Sequence, residues 1–140
     1  MTEEALLVNW SRAHWLVGLL TLIVFPLTGA YMRHVAVVPN LDTVPRLIFR
    51  SRHLFILLAA VANLALSSTR PVRLVQRVAA TLILVSPFLL IGAFFIDPGN
   101  GLKSSQLFHF AMYGLFAAGV LLAIVNRPRS LGAPSSRTLD

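Results

Sequence analysis

The stretch VAATLILVSPFLLIGAFFI, residues 78–96, carries no charged residue over its whole length. An α-helix rises about 1.5 Å per residue, so about 20 residues of this kind cross the roughly 30 Å hydrocarbon layer of a membrane. Three further uncharged stretches have comparable lengths, at residues 13–32, 53–69 and 104–126. The sequence therefore predicts an all-α integral membrane protein built as a bundle of four transmembrane helices.

Composition supports the same fold class. Of the 140 residues, 56% are apolar and 12% are charged, and a soluble domain of this size has too little interior to bury so much apolar surface. Isolated strands would leave backbone groups unpaired in lipid, and a barrel would need shorter alternating segments. The absence of cysteine excludes disulfides, thiolate metal sites, iron-sulfur clusters and thiol-linked haem.

The predicted domain organisation is one transmembrane domain followed by a short tail. The domain covers residues 1–128, and the tail at 129–140 is predicted to be disordered because it is rich in Ser, Pro, Gly and Arg. The four spans are predicted at about 11–32, 47–67, 75–96 and 105–125.

The formal net charge of +7 comes mainly from basic residues that flank the spans. Such residues meet lipid phosphates, so we expect the lipid bilayer, and no nucleic acid, as the partner of this charge. The short connection at 67–77 is basic, and short basic loops stay on the cytoplasmic side. The sequence thus predicts a multi-pass protein of the cell inner membrane with both termini in the cytoplasm.

The first and third spans resemble one another. Residues 21–31 and 81–94 each contain Thr-Leu-Ile, one proline, and Gly-Ala followed by an aromatic residue. A two-plus-two parallel repeat would place His53 and His109, near the starts of helices 2 and 4, at equivalent depth around an axis normal to the membrane. The alternative is coincidence among leucine-rich spans.

His53 and His109 are the candidate ligand-binding residues. Two histidines on facing helices at one depth can ligate haem b from both sides, and Arg50 and Arg52 would pair with its propionates. The same two histidines with His34 could instead hold copper or zinc, because imidazole suits both metals. Two alternatives stay open: a polar ligand such as a quinone, or structural histidines that hydrogen-bond to loop carbonyls.

Helix 2 also carries a seam of small or polar residues that should face the bundle interior: His53, Ile56, Ala60, Asn63 and Ser67. His14, at the opposite end of the first span, is expected among the lipid headgroups. No aspartate or glutamate lies within a span, which argues against a cation-coupled transporter of the carboxylate type. No nucleophile-base pair or phosphate-binding glycine loop indicates an enzyme of the soluble type.

Two functions follow as hypotheses. The first is a small polytopic membrane protein that binds haem b or a related redox ligand through outer-side histidines and takes part in membrane electron transfer. The second is a non-catalytic accessory or assembly subunit, which would pack in a larger membrane complex or as a homo-oligomer.

The predicted topology can be tested at Ser130, which follows the last span. With both termini in the cytoplasm, a cysteine introduced as Ser130→Cys should react with a membrane-impermeant maleimide only after the cells are permeabilised. The chain has no cysteine of its own, so the label reports this position alone. Labelling in intact cells would show the opposite topology, with both termini outside the cytoplasm.

Overall fold

The computed structural model describes residues 3–100 and 106–126, with side chains for residues 10–98 and 106–126. The described residues form four long helices and no strand: α1 (Glu3–His34), α2 (Thr43–Leu66), α3 (Leu74–Ile96) and α4 (Gln106–Val125). All four are long and apolar enough to cross a membrane, which confirms the predicted four-helix transmembrane fold. The tail at 129–140 lies outside the described residues.

Two helices begin before the membrane spans that the sequence predicts for them. α1 starts at Glu3, about two turns before the candidate membrane span that begins at Trp10, because residues 3–7 (Glu-Glu-Ala-Leu-Leu) are strong helix formers. α2 starts at Thr43, and Pro45 fits its first turn because the missing N–H has no partner there in any helix.

The helices run alternately up and down as two antiparallel hairpins. α1 packs along α2, α3 packs along α4, and α2 packs along α3, whereas α1 and α4 make no contact within the described residues. We call the end with the α1–α2 and α3–α4 connections the loop end, and the end with the α2–α3 connection the terminal end. A Cβ on Gly18 would lie 2.9 Å from the backbone nitrogen of Leu64, so only glycine permits this approach of α1 to α2.

The core is thin, as in a bundle whose outer surface faces lipid. Ile56, Leu90 and Phe94 are fully buried between α2 and α3, while Phe110 on α4 is 71% exposed and Leu20 on α1 is 60% exposed. Because lipid chains are as apolar as these side chains, their exposure carries no penalty in a bilayer. The protein therefore contacts the bilayer over broad faces of its helices.

A buried ion pair closes the loop end. Arg52 Nε lies 2.7 Å from Asp97 Oδ2, and the two side chains are 7% and 0% exposed. The Arg52 guanidinium also lies 3.3 Å from the ring centroid of Phe108, a cation–π contact. These contacts join α2, the short 3-10 turn Asp97–Asn100 that follows α3, and α4.

We expect Asp97→Asn to destabilise the bundle, because it would leave the Arg52 charge buried without its counter-charge. Breaking a buried pair in this way typically costs about 3–5 kcal/mol of unfolding free energy, whereas surface changes stay within about 0.5 kcal/mol. The matched control is Asp42→Asn, because Asp42 is exposed at the start of α2. Reversible unfolding in detergent measures both. Equal losses in the two variants would show that the ion pair is not a major stabilising contact.

Candidate functional site

His53 projects from α2 against α1. Its Nδ1 lies 2.9 Å from the hydroxyl of Thr28, and its ring stacks on Phe25 at a centroid distance of 4.0 Å. Thr28 donates its own hydroxyl hydrogen to the carbonyl of Phe25 at 2.8 Å. The Thr28 hydroxyl therefore accepts a hydrogen bond from the Nδ1–H group of His53. When the ring is neutral, Nδ1 carries the proton and Nε2 keeps a lone pair.

Gly29 leaves room for the free edge of this imidazole. A Cβ on Gly29 would lie 3.4 Å from Cε1 and 3.6 Å from Nε2 of His53. Gly29 also lines a cavity of about 420 Å³ at the loop end, the outer-end cavity. Its other lining residues are Met32, Arg33, Val38, Pro39 and Arg50. His53 Nε2 thus lies beside Gly29, one of the residues that line this cavity.

A strained turn forms one side of the outer-end cavity. Val37 adopts φ 45° and ψ 45°, in the left-handed region that a β-branched residue rarely enters. Such a conformation costs about 1–3 kcal/mol and persists where surrounding packing holds it. Here the turn places Val38, which is 2% exposed, and Pro39 against the cavity.

The electrostatics of the loop end favour anions. Arg33 and Arg50 are exposed where they line the cavity. The described acidic residues at this end are Asp42 and Asp97, and Asp97 is engaged by Arg52. Arginine forks match carboxylate and phosphate oxygens in a bidentate geometry, so this cavity can pair an acidic group at the membrane boundary.

The two predicted arginines have different roles. Arg50 borders the outer-end cavity, as a ligand-pairing residue would. Arg52 points inward instead, where Asp97 accepts from its Nε and the hydroxyl of Ser51 lies 3.2 Å from its Nη1. An arginine buried in a transmembrane bundle needs a counter-charge close by, and Asp97 supplies one for Arg52. The structure therefore gives Arg52 a packing role and leaves Arg50 beside the cavity.

His109 lies on a different interface from His53. It is exposed on α4, where its ring stacks on Tyr113 at 6.0 Å, and His34 is exposed at the end of α1. In the second hairpin, a Cβ added at Gly92 would lie 3.8 Å from the side chain of Leu107. In the first hairpin, the corresponding glycine is Gly29, and the side chain next to it is His53. The two hairpins thus differ at this point.

Within residues 3–100 and 106–126, no three His, Asp or Glu side chains are grouped as a metal site. The shared two-histidine site and the metal site with His34 stay predictions.

His14 is where the sequence-based expectation is wrong. It is 2% exposed, not among headgroups, and its Nδ1 lies 2.8 Å from Oδ1 of Asn63 on α2. Asn63 donates its amide hydrogens to the carbonyls of Ala59 and Ile83, both at 2.9 Å. Its oxygen can therefore only accept, and Nδ1 of His14 carries the proton. Nε2 of His14 is buried without a hydrogen-bond partner in the described part of the chain.

No protein family, curated protein or solved structure matches this chain. Its function is therefore inferred from the chemistry of its own cavities and buried polar groups.

Both interhelical histidines should hold their proton on Nδ1. ¹⁵N NMR of the detergent-solubilised protein labelled at histidine distinguishes the two tautomers, and we expect the Nδ1–H form for His14 and His53 at a pH where both rings are neutral. Asn63→Leu should alter the His14 signals and leave those of His53 unchanged. Thr28→Val should do the reverse. An Nε2–H tautomer at either residue would contradict the assigned hydrogen bond.

Proposed function

We propose that this protein binds an amphipathic anion from the membrane in the outer-end cavity. Arg33 and Arg50 pair the acidic group, and the apolar body of the ligand lies against Met32, Val38 and Pro39. The observation that supports this proposal is the coincidence of a cavity of about 420 Å³ with two exposed arginines at one end of a transmembrane helix pair.

Two ligands share this chemistry. Haem b carries carboxylates on an apolar ring, and an anionic phospholipid carries a phosphate on acyl chains. For haem, the closest nitrogen ligand is Nε2 of His53, which is the unprotonated nitrogen of the neutral ring and lies beside Gly29. Metal-ligating histidines usually donate their other N–H to a fixed acceptor, as His53 does to Thr28. His109 remains the second iron ligand that the sequence predicts, and electron transfer is the role that bound haem would support.

The membrane orientation belongs to the same proposal. The basic connection at 67–77 favours the cytoplasmic side for the terminal end. The outer-end cavity would then open towards the outer face of the cell inner membrane, and both termini would lie in the cytoplasm.

A second proposal is an accessory subunit that packs against another transmembrane helix. It is supported by an apolar groove of about 360 Å³ between α2, α3 and α4, lined in part by Leu115 and Gly119. A Cβ on Gly119 would meet nothing within 4 Å, and small residues of this kind let a neighbouring helix approach closely. A photo-reactive residue at Gly119 that cross-links reproducibly to one membrane protein would support this function, and cross-links to lipid alone would count against it.

Ligand titration tests the leading proposal and distinguishes between its two candidate ligands, haem b and an anionic phospholipid. Haem b added to the purified protein should produce a shifted Soret band if haem is the ligand, and His53→Ala should abolish the ligated spectrum. Native mass spectrometry with phosphatidylglycerol against phosphatidylcholine should show selective retention of the anionic lipid if phospholipid is the ligand. In either arm Arg33→Gln or Arg50→Gln should weaken binding by about 1.5–3 kcal/mol, which is roughly 10-fold or more.

The matched control is Arg12→Gln, which removes an exposed arginine at the terminal end and should leave both arms unchanged. Binding that is equally strong in the Arg33→Gln/Arg50→Gln protein would refute the outer-end site. A haem spectrum lost in both His53→Ala and His109→Ala would support the shared two-histidine site.

A further inference from the structure

A second cavity lies at the terminal end, where α2 ends, α3 begins and α4 ends. Its volume is about 250 Å³, and we call it the terminal-end cavity. Its floor is apolar, formed by Leu66, Pro71, Ala80 and Leu122, and its rim is polar, formed by Thr69, Arg70, Gln76 and Asn126. At about 30 Å³ per water molecule, this volume equals that of about eight waters, which is enough for a phosphodiester group.

Gln76 fixes the rim of the terminal-end cavity. Its Oε1 accepts the backbone N–H groups of Val72 at 3.0 Å and Arg73 at 2.9 Å. Its Nε2 donates to Oδ1 of Asn126 at 2.8 Å. One side chain thereby joins the α2–α3 connection, the first turn of α3 and the end of α4. Gln76 consequently positions Asn126 relative to the α2–α3 connection before any ligand binds.

The hydrogen bonds of the rim leave mainly donors for a ligand. Both lone pairs of the Gln76 oxygen are used, and the Asn126 oxygen already accepts one bond. Within residues 10–98 and 106–126, the rim groups without a hydrogen-bond partner are the Asn126 amide hydrogens, the second amide hydrogen of Gln76 and the exposed guanidinium of Arg70. The Thr69 hydroxyl gives its hydrogen to the carbonyl of Leu66. A phosphodiester offers only acceptor oxygens, which complement a rim of this kind.

Charge at this end also favours an anion. α2 and α4 end beside the terminal-end cavity and α3 begins beside it, so the helix termini that border it contribute two partial negative charges and one partial positive charge of about half a unit each. Arg70, Arg73 and Arg77 contribute full positive charges on the connection and the first turn of α3. The arginines therefore outweigh the helix termini.

We infer that the terminal-end cavity binds the headgroup of an anionic phospholipid from the leaflet at that end. Arg70 and Asn126 hold the phosphate, Gln76 positions Asn126, and the glycerol region contacts Leu66 and Leu122. The acyl chains continue along the lipid-facing surface of the bundle. This site goes beyond the proposed function: it lies at the other end of the protein, shares no residue with the outer-end cavity, and can exist without it.

The test uses the full chain in the Arg33→Gln/Arg50→Gln background, so that loss of the outer-end site does not affect the result. Native mass spectrometry should count one retained phosphatidylglycerol per protein and less phosphatidylcholine at equal concentration. Arg70→Gln should weaken phosphatidylglycerol binding about 10-fold or more. The matched control is Arg73→Gln. It removes the same charge from a residue that is three positions after Arg70 and does not line the cavity, so it should change binding less than about 3-fold.

A second variant separates positioning from charge. Gln76→Leu keeps every arginine but frees the amide of Asn126, so it should weaken binding several-fold, while unfolding measurements check that the bundle remains intact. Equal losses in Arg70→Gln and Arg73→Gln would mean diffuse attraction to the membrane and would overturn the site. Inorganic phosphate that binds as well as phosphatidylglycerol and displaces it would show a free-phosphate site instead of a lipid site.

Discussion

The buried pair of Arg52 and Asp97 sets the condition on which the loop end depends. An arginine buried inside a transmembrane bundle has no water to solvate it, so it needs a charged partner within hydrogen-bond distance. Asp97 supplies this at 2.7 Å from just beyond the last residue of α3, and the face of Phe108 on α4 covers the guanidinium. Because α2, the turn after α3 and α4 all contribute to this cluster, they cannot slide past one another at this end without breaking the ion pair or the cation–π contact.

The need to pair buried polar groups also fixes the register of α1 against α2. Apolar side chains pack against one another almost equally well at several registers in a membrane, whereas polar pairs are satisfied at one. Ser11 donates to the carbonyl of Ser67, His14 donates to Asn63, and His53 donates to Thr28. These bonds follow one antiparallel alignment from the terminal end to the loop end. The glycines at positions 18 and 29 then allow close packing against Leu64 and His53 at that alignment.

Hydropathy was sufficient to predict the number and approximate bounds of the helices, because uncharged length decides what crosses a membrane. The seam on α2 was also predictable, and the burial of Ile56, Ala60 and Asn63 confirms it. The rotation of each helix about its axis was not predictable, since α1, α3 and α4 carry apolar residues on nearly every side. For that reason the depth of His14 and the partner of Arg52 were missed. Asn63 was the available signal, because a buried amide at the terminal end of α2 requires a partner on a neighbouring helix. The turn at Val37 could not be foreseen, because valine disfavours that backbone conformation.

The internal pairings also determine which chemistry remains at the surface. Asp97 is paired with Arg52, whereas Arg33, Arg50 and Arg70 border cavities. The charged side chains that line the outer-end and terminal-end cavities are therefore all cationic, which suits anionic ligands. The histidines follow a similar division. His14 and His53 both donate from Nδ1, so iron or proton chemistry at either neutral ring must use Nε2. Nε2 of His14 is buried, whereas that of His53 lies beside Gly29, which lines the outer-end cavity. Of these two interhelical histidines, His53 is therefore the one whose free nitrogen a ligand can reach with the smaller rearrangement.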